Sequence, residues 1–307
     1  MSTPDVPKIA LAPAPGPDWL ATAIVDGGGQ IVALDECEAI IWADAHDPDG
    51  LVAALAQAPG ASWVQLPFAG IEHFLPHLDR QRAWTCGKGV YADPVAEIAL
   101  TLALAGLRGL GTYARSTSWS PPLGRSLIGA RVTILGGGGI AESLLRLLAP
   151  FDCHITVVRS NVQHMDGVDV VLEADRYADS LPGADLVVLA LPLTSETDAL
   201  IGRDELALME SHAWLVNVAR GGHIVTDDLV EALRDGVIAG AGLEVTDPEP
   251  LPDGHPLWHL ENCIITPHTG TTPEMARPLL AARVEANVRR FAAGNDLIGP
   301  VDLDAGY

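Results

Sequence analysis

Cations are scarce in this chain: 18 lysines and arginines stand against 40 aspartates and glutamates, and Lys8 and Lys88 are the only lysines. The net charge of −22 argues against nucleic acid or an anionic membrane as a partner, because such a surface repels polyanions. Any anion that binds must be held by locally placed arginines and backbone amides, while the acidity as a whole serves solubility. Cysteine is also sparse. Cys37, Cys86, Cys153 and Cys263 are scattered without a C-x-x-C pair, which points to a reducing cytoplasm and offers no metal-site spacing. No apolar run reaches transmembrane length, and no basic segment with an apolar core opens the chain, so neither a span nor a signal peptide is expected. What is present, 48% hydrophobic residues in a chain of 307, allows two domains with substantial cores.

Short apolar runs alternate with helical patterns. In the first hundred residues, Lys8–Ala12, Gln30–Leu34, Ala39–Trp42 and Trp63–Leu66 read as strands, and Asp49–Gln57 as a helix capped by Asp47 or Asp49. Gly27-Gly-Gly29 precedes a strand rather than a helix and reads as a turn. A long apolar helix over about Val95–Leu110 leads to an irregular stretch, Ser116–Gly129, that carries Pro121, Pro122 and Gly124. A second series has strands at Val132–Leu135, Ile155–Val158, Leu186–Leu191, Trp214–Val218, Ile238–Leu243 and Cys263–Thr266, with helices at Asp204–Met209 and Asp227–Arg234. Such alternation implies parallel, doubly wound sheets. The last helix, about Pro273–Ala293, is long enough to run back onto the first unit, which makes the N-terminal domain discontinuous.

The segment Val132-Thr-Ile-Leu-Gly-Gly-Gly-Gly-Ile-Ala141 is the most informative. An apolar strand breaks into glycines, and a helical pattern, Ala141 to Pro150, follows at once. Gly136-x-Gly138-x-x-Ala141 fits the dinucleotide fingerprint with its permitted final alanine. Gly136 allows the tight turn, Gly138 lets the backbone approach a pyrophosphate, and Ala141 lets helix and strand pack closely. The helix N-terminus then presents free N–H groups and a partial positive charge to the phosphates. A second strand ends at Arg159, 23 residues after Gly136 and close to the ~20-residue offset of the ribose-reading position. A carboxylate there would bond the ribose 2′-OH and repel a 2′-phosphate. Arg159-Ser160-Asn161 offers a cation, a hydroxyl and an amide instead. NADP(H) is therefore favoured. NAD(H) is the alternative if Arg159 is only a solvated surface arginine.

Three more segments fall at the C-terminal ends of expected strands, the edge where open α/β sheets bind ligands. Leu215 to Gly222 puts Arg220 just beyond one strand, Ala241 to Leu251 carries Glu244 and Glu249, and Ile264 to Gly270 carries His268 behind Pro267. Reduction of a 2-oxo acid needs a cation for the carboxylate, a proton donor for the carbonyl oxygen and a group that tunes the donor. Arginine, histidine and glutamate supply these. Taken alone, each reads as an ordinary surface or loop residue; their common edge and order give the combination its meaning.

With those motifs assembled, the chain resembles the D-2-hydroxyacid dehydrogenase family over nearly its whole length, most closely from Val90 to Gly270. Gly136-x-Gly138-x-x-Ala141, Leu191-Pro-Leu-Thr-Ser-Glu-Thr197, Asn217-Val-Ala-Arg-Gly-Gly222, the Glu244–Pro250 loop and Thr266-Pro-His268 stand in family order. The resemblance implies an α/β fold of two doubly wound parallel-sheet domains. A Rossmann cofactor domain (96–274) is inserted into a flavodoxin-like substrate-binding domain (1–95 and 275–307). The implied activity is NAD(P)-dependent interconversion of a 2-oxo acid and a D-2-hydroxy acid by hydride transfer. Arg159-Ser160 is similar to NADPH-using glyoxylate and hydroxypyruvate reductases. Alternatives on the same fold are an NAD(H)-sensing, corepressor-like regulator and a phosphoglycerate dehydrogenase-like enzyme.

By the same resemblance, Arg220 orients the substrate carboxylate and polarises the carbonyl. His268 donates the proton in reduction, and Glu249, at the family's Glu-Pro-Leu position, pairs with it. Cofactor contacts are implied for Gly136, Gly138, Gly139, Ile140, Arg159, Ser160, Leu191, Pro192, Thr197, Val218, Ala219, Glu244 and Gly270. Glu244 stands where the family usually has Asp against the nicotinamide amide. Leu66-Pro-Phe-Ala-Gly-Ile-Glu72 resembles the substrate loop, with backbone amides near Ala69, Gly70 and Ile71 binding carboxylate; a simple strand-to-helix turn competes with that role. Trp42 and Trp258 could line the pocket, though core packing is the favoured role for each. A homodimer formed through the cofactor domain is implied, with no metal.

Overall fold

The computed structural model describes residues 6–306; residues 1–5 and Tyr307, which fall in the expected 1–95 and 275–307 segments, lie outside the described residues. The chain divides into two compact units. One is built from residues up to Tyr91 and from Thr272 onward, the other from Ala92–Thr271.

The first unit opens with β1 (Lys8–Ala12), α1 (Asp18–Asp26), β2 (Gln30–Ile31), β3 (Ala39–Trp42), α2 (Pro48–Gln57), β4 (Trp63–Gln65) and β5 (Ala83–Thr85). Its five-stranded sheet has the order β2-β1-β3-β4-β5 with every pair parallel, which is the flavodoxin-like order. Successive strand residues enter opposite faces. Ile9, Ala39, Ile41 and Trp63 pack against Leu20 and Ile24 of α1, whereas Ala10, Ile40, Trp42 and Val64 pack against Leu51 and Ala54 of α2. Asp47 caps α2 by accepting the Gly50 N–H at 2.8 Å. β2 stops at Ile31 instead of reaching Leu34, because it is an edge strand and the chain turns into a 3-10 turn at Leu34–Glu36. Two elements escape the periodicity reading: α1, which follows a proline-rich stretch, and three-residue β5, too short to show alternation.

The second unit holds α3 (Ala92–Leu107), α4 (Leu110–Arg115), β6 (Arg131–Leu135), α5 (Gly139–Leu148), β7 (His154–Val158), β8 (Val170–Leu172), β9 (Leu186–Leu189), α6 (Arg203–Leu208), β10 (Trp214–Asn217), α7 (Thr226–Asp235), β11 (Gly240–Leu243) and β12 (Cys263–Ile265). Its strand order is β12-β11-β10-β9-β6-β7-β8. Counted from β6, this is the Rossmann order 3-2-1-4-5-6 with one strand added. The expected helix through Leu110 breaks at Gly109, whose φ of +63° starts a new helix. Leu102 and Leu107 of α3 and Leu144 and Leu148 of α5 cover one face of the sheet over Val132, Ile134 and Val188. Leu206 of α6 and Leu229 and Leu233 of α7 cover the other over Leu135, Val187 and Leu215.

Finally α8 (Pro273–Ala292) returns to the first unit. Leu280, Val284 and Val288 complete the core on the α1 face. Beside them a fully buried Asn287 donates to Gln65 Oε1 and to the Ile298 carbonyl, both at 2.9 Å, and accepts the Ile298 N–H at 2.8 Å. Thr85 donates to the same Gln65 oxygen at 2.8 Å. Buried polar groups are tolerated here because each has its partner. No helix among the described residues is long and apolar enough to cross a membrane.

Candidate active site on the second unit

The switch point of the second sheet lies between β6 and β9, where strand order reverses, the place where open α/β sheets bind ligands at the carboxyl ends of their strands. β6 ends there in Gly136, whose N–H donates to the Val158 carbonyl at 2.8 Å. Its φ of +113° and the Ala190 carbonyl oxygen, 2.2 Å from where a Cβ would stand, leave room for glycine alone. Gly138 then caps α5 without a side-chain bond. A Cβ on Gly138 would meet nothing within 4 Å, so the space above the turn is open. Among the described residues, the N–H groups of Gly138, Gly139 and Ile140 have no acceptor. Ala141 is fully buried against the sheet. Open donors at a helix N-terminus fit the pyrophosphate of a dinucleotide. Arg159 follows β7, with its backbone N–H held by Leu172 O at 3.0 Å and its side chain half-buried. Among the described residues its guanidinium makes no hydrogen bond or ion pair. Ser160 beside it is exposed.

After β9 the chain forms a loop through Leu191, Pro192 and Thr197. The Thr197 hydroxyl donates to Pro192 O at 2.8 Å and accepts the Thr194 N–H at 2.8 Å. A fully buried His223 braces the same loop, its ring nitrogens 2.8 Å from Thr197 O and 3.1 Å from Leu191 O. Past β10, the buried Asn217 shapes the next turn: its amide oxygen accepts the Ala219 N–H at 3.0 Å and its amide nitrogen donates to Arg220 O at 2.8 Å. Val218 N–H bonds Leu189 O at 3.2 Å, and the Arg220 guanidinium donates to Ala219 O at 2.7 Å. The sequence alone gives neither Asn217 nor His223 a role. The available signal was a polar residue ending an apolar strand and a histidine three residues beyond Arg220.

The ends of β11 and β12 carry the remaining residues. Glu249 Oε1 lies 2.6 Å from His268 Nδ1, with both side chains about half exposed. His268 has a φ of +50°, in the left-handed region where a non-glycine residue is uncommon and held only by its surroundings. Glu244 provides much of that hold. It is 3% exposed, its carboxylate accepts from the Thr266 hydroxyl and the Gly270 N–H, and its carbonyl accepts the His268 N–H at 2.9 Å. The structure thus brings Glu249 to His268 and ties Glu244 to both ends of the 266–270 loop. Among the described residues, no group of three or more histidine, cysteine or acidic side chains could hold a metal.

Residues 98–270 match the profile of the D-isomer specific 2-hydroxyacid dehydrogenase, NAD binding domain. The chain belongs to this family. An uncharacterised protein of Corynebacterium melassecola is 38% identical over 93% of this chain and 96% of its own length. The glyoxylate reductase/hydroxypyruvate reductase of Homo sapiens is 34% identical over 76% of this chain and 75% of its own. The D-isomer specific 2-hydroxyacid dehydrogenase from Xanthobacter autotrophicus Py2, solved in complex with NADPH and MES, matches with a TM-score of 0.85 at 25% identity over 98% of this chain and 100% of that one. The protein is an NAD(P)-dependent 2-hydroxyacid dehydrogenase, and its relatives do not favour the corepressor-like and phosphoglycerate dehydrogenase-like alternatives.

Other features of this dehydrogenase separate structural from chemical residues. Burial raises all four thiols, that of Cys263 to about 12, so none is poised as a nucleophile. Trp42 is buried in the first unit's core as expected, but Trp258 is not core. Its neighbour Leu257 takes the buried position, which leaves Trp258 46% exposed, its indole N–H donating to Pro252 O at 3.1 Å. In the first unit, Ala69 is exposed, Gly70 half-buried and Ile71 buried. Among the described residues the Ala69 and Gly70 N–H groups have no acceptor.

Proposed function

We propose that this dehydrogenase is an NADPH-preferring reductase of small 2-oxo acids of the glyoxylate and hydroxypyruvate type. The observation that carries the cofactor preference is Arg159: a guanidinium without an acidic partner among the described residues stands where an NAD-selective chain has a carboxylate. The substrate class is supported by the human relative's name and by the Arg220, Glu249 and His268 set.

Bound nicotinamide supplies the hydride that adds to C2 of the oxo acid. This chain's own groups manage the substrate and the proton. Arg220 holds the carboxylate and draws electron density from the carbonyl. Ala69, Gly70 and Ile71 offer backbone N–H groups for binding a substrate carboxylate. Glu249 accepts the Nδ1–H of His268, which fixes the tautomer and leaves Nε2 to deliver its proton to the carbonyl oxygen. In oxidation the same nitrogen takes the proton back. Gly136, Gly138, Gly139 and Ile140 receive the pyrophosphate, and Arg159 with Ser160 receives the 2′-phosphate. The segments Leu191–Thr197 and Val218–Ala219, together with Glu244 and Gly270, line the nucleotide's path. The first unit serves as the substrate-binding domain and the second as the nucleotide-binding domain. A homodimer and a cytoplasmic location complete the reading, the latter supported by the four free thiols.

Nicotinamide absorbance followed with NADPH and NADH against glyoxylate, hydroxypyruvate, pyruvate and bulkier 2-oxo acids tests the assignment. Preference for NADPH and the smaller acids is expected, and preference for NADH would overturn the role of Arg159. His268→Ala should abolish turnover yet spare nucleotide binding; unchanged turnover removes its role. Sedimentation equilibrium tests the dimer.

A further inference from the structure

The glycine turn holds two glycines more than the fingerprint needs, Gly137 and Gly139, and Gly139 already belongs to α5. Gly136 and Gly138 answer to the turn and to the open space above it, whereas Gly137 occupies a position where the fingerprint accepts any residue. Its φ is not in the left-handed region, so backbone conformation does not require glycine there either. What a side chain would meet is specific. The three atoms nearest to a Cβ on Gly137 all belong to Arg159: Cδ at 2.7 Å, Nε at 2.9 Å and Cβ at 3.0 Å. The arginine therefore lies along the bare backbone of Gly137 from its root to its guanidinium.

From this contact we infer that Gly137 is a specificity-determining residue of the nucleotide site: it is the seat that holds Arg159 ready for the 2′-phosphate. Arginine is long and flexible, and fixing it costs conformational entropy that would otherwise be lost at the moment of binding. Here its root is anchored by the bond from Arg159 N–H to Leu172 O at 3.0 Å, its stem rests on Gly137, and among the described residues no acid or carbonyl diverts its head. An added methyl group at 137 would stand 2.7 Å from Cδ and 2.9 Å from Nε, so the stem beyond Cβ must leave this rotamer. Gly137 acts through Arg159 and touches no reacting atom, so it is a positioning residue. Its role presupposes the NADPH preference proposed above.

Isothermal titration of the purified enzyme with NADP+ and NAD+ tests this for wild type, Gly137→Ala, Arg159→Ala and the double variant. Gly137→Ala should weaken NADP+ binding about tenfold and NAD+ binding less than twofold. Once Arg159 is absent, adding Gly137→Ala should change neither affinity, because the two substitutions act on one contact. The double variant also removes the overlap, so its thermal midpoint should match that of Arg159→Ala even if Gly137→Ala alone melts early. Equal loss of both nucleotides in Gly137→Ala, or additive losses in the double variant, would overturn the seat. A different result, wild type and Arg159→Ala both binding NAD+ as well as NADP+, would instead remove the NADPH reading itself.

Discussion

Glu244 should control His268 without touching substrate, and the size of its effect follows from its partners. Its buried carboxylate accepts from the Thr266 hydroxyl and the Gly270 N–H, on either side of His268. A hydrogen bond to an ionised group contributes about 1.5–3 kcal/mol net, so the pair holds the loop by about 3–6 kcal/mol. Glu244→Ala removes both bonds, and Gly270, buried in the folded loop, is left with an unmatched donor unless the loop opens. At the low end, about 3 kcal/mol corresponds to a loss of roughly 10²-fold in the population with His268 in place, and kcat should fall with it. Glu244→Gln behaves differently. Its amide oxygen can still accept the Gly270 N–H, and its amide nitrogen can donate to Thr266, whose hydroxyl accepts as readily as it donates. Only the charge assistance is lost, worth about 1–1.5 kcal/mol or roughly tenfold in kcat. Glu244→Asp, one methylene shorter, cannot span both donors and should fall between the two. Steady-state kinetics on the three variants, with tritium or deuterium exchange of the Gly270 amide, would measure this. Wild-type kcat in Glu244→Ala, or equal damage by Gln and Ala, would refute the reasoning.

Other outcomes can be stated more briefly. Gly136→Ala should unfold the switch point, at a cost above about 3 kcal/mol, because both its φ of +113° and the Ala190 oxygen oppose a Cβ; a thermal midpoint within error of wild type would contradict it. For Asp185, burial acts to raise the carboxyl, but the Arg131 amide, His212 and the Arg125 guanidinium outweigh it and hold the carboxyl below its ordinary value. A depressed pKa contributes stability that is complete above the ordinary carboxylate range and vanishes as pH falls through the folded value. Asp185→Asn should accordingly cost about 1–2 kcal/mol at neutral pH and nothing at strongly acidic pH in denaturant titrations. Asn287→Leu should cost about 3 kcal/mol in the same assay, because the Ile298 backbone and Gln65 each lose a buried partner.

Much of the second unit was legible in the residues, and the reason is that its signals are local. A strand, a glycine turn and a helix occupy one continuous run from Arg131 to Leu148, and each is set by the steric limits of a few neighbouring residues. The order of the motifs likewise survives in one dimension, so family and reaction could be read from it. Edge elements were harder: three-residue β5 and β8 are too short for any period to show.

What needed three dimensions are the partnerships. Glu249 meets His268 across 19 residues, Glu244 meets Thr266 and Gly270 across 22 and 26, and Asn287 meets Gln65 across 222. Nothing local distinguishes Glu244, bonded and buried, from an exposed glutamate, or Trp258 on the surface from Trp42 in the core. The left-handed backbone of His268 and the resting place of Arg159 on Gly137 belong to the same class. Propensity and periodicity act between neighbours in the chain. Hydrogen bonds and close packing act between neighbours in space, and strand order and register choose those.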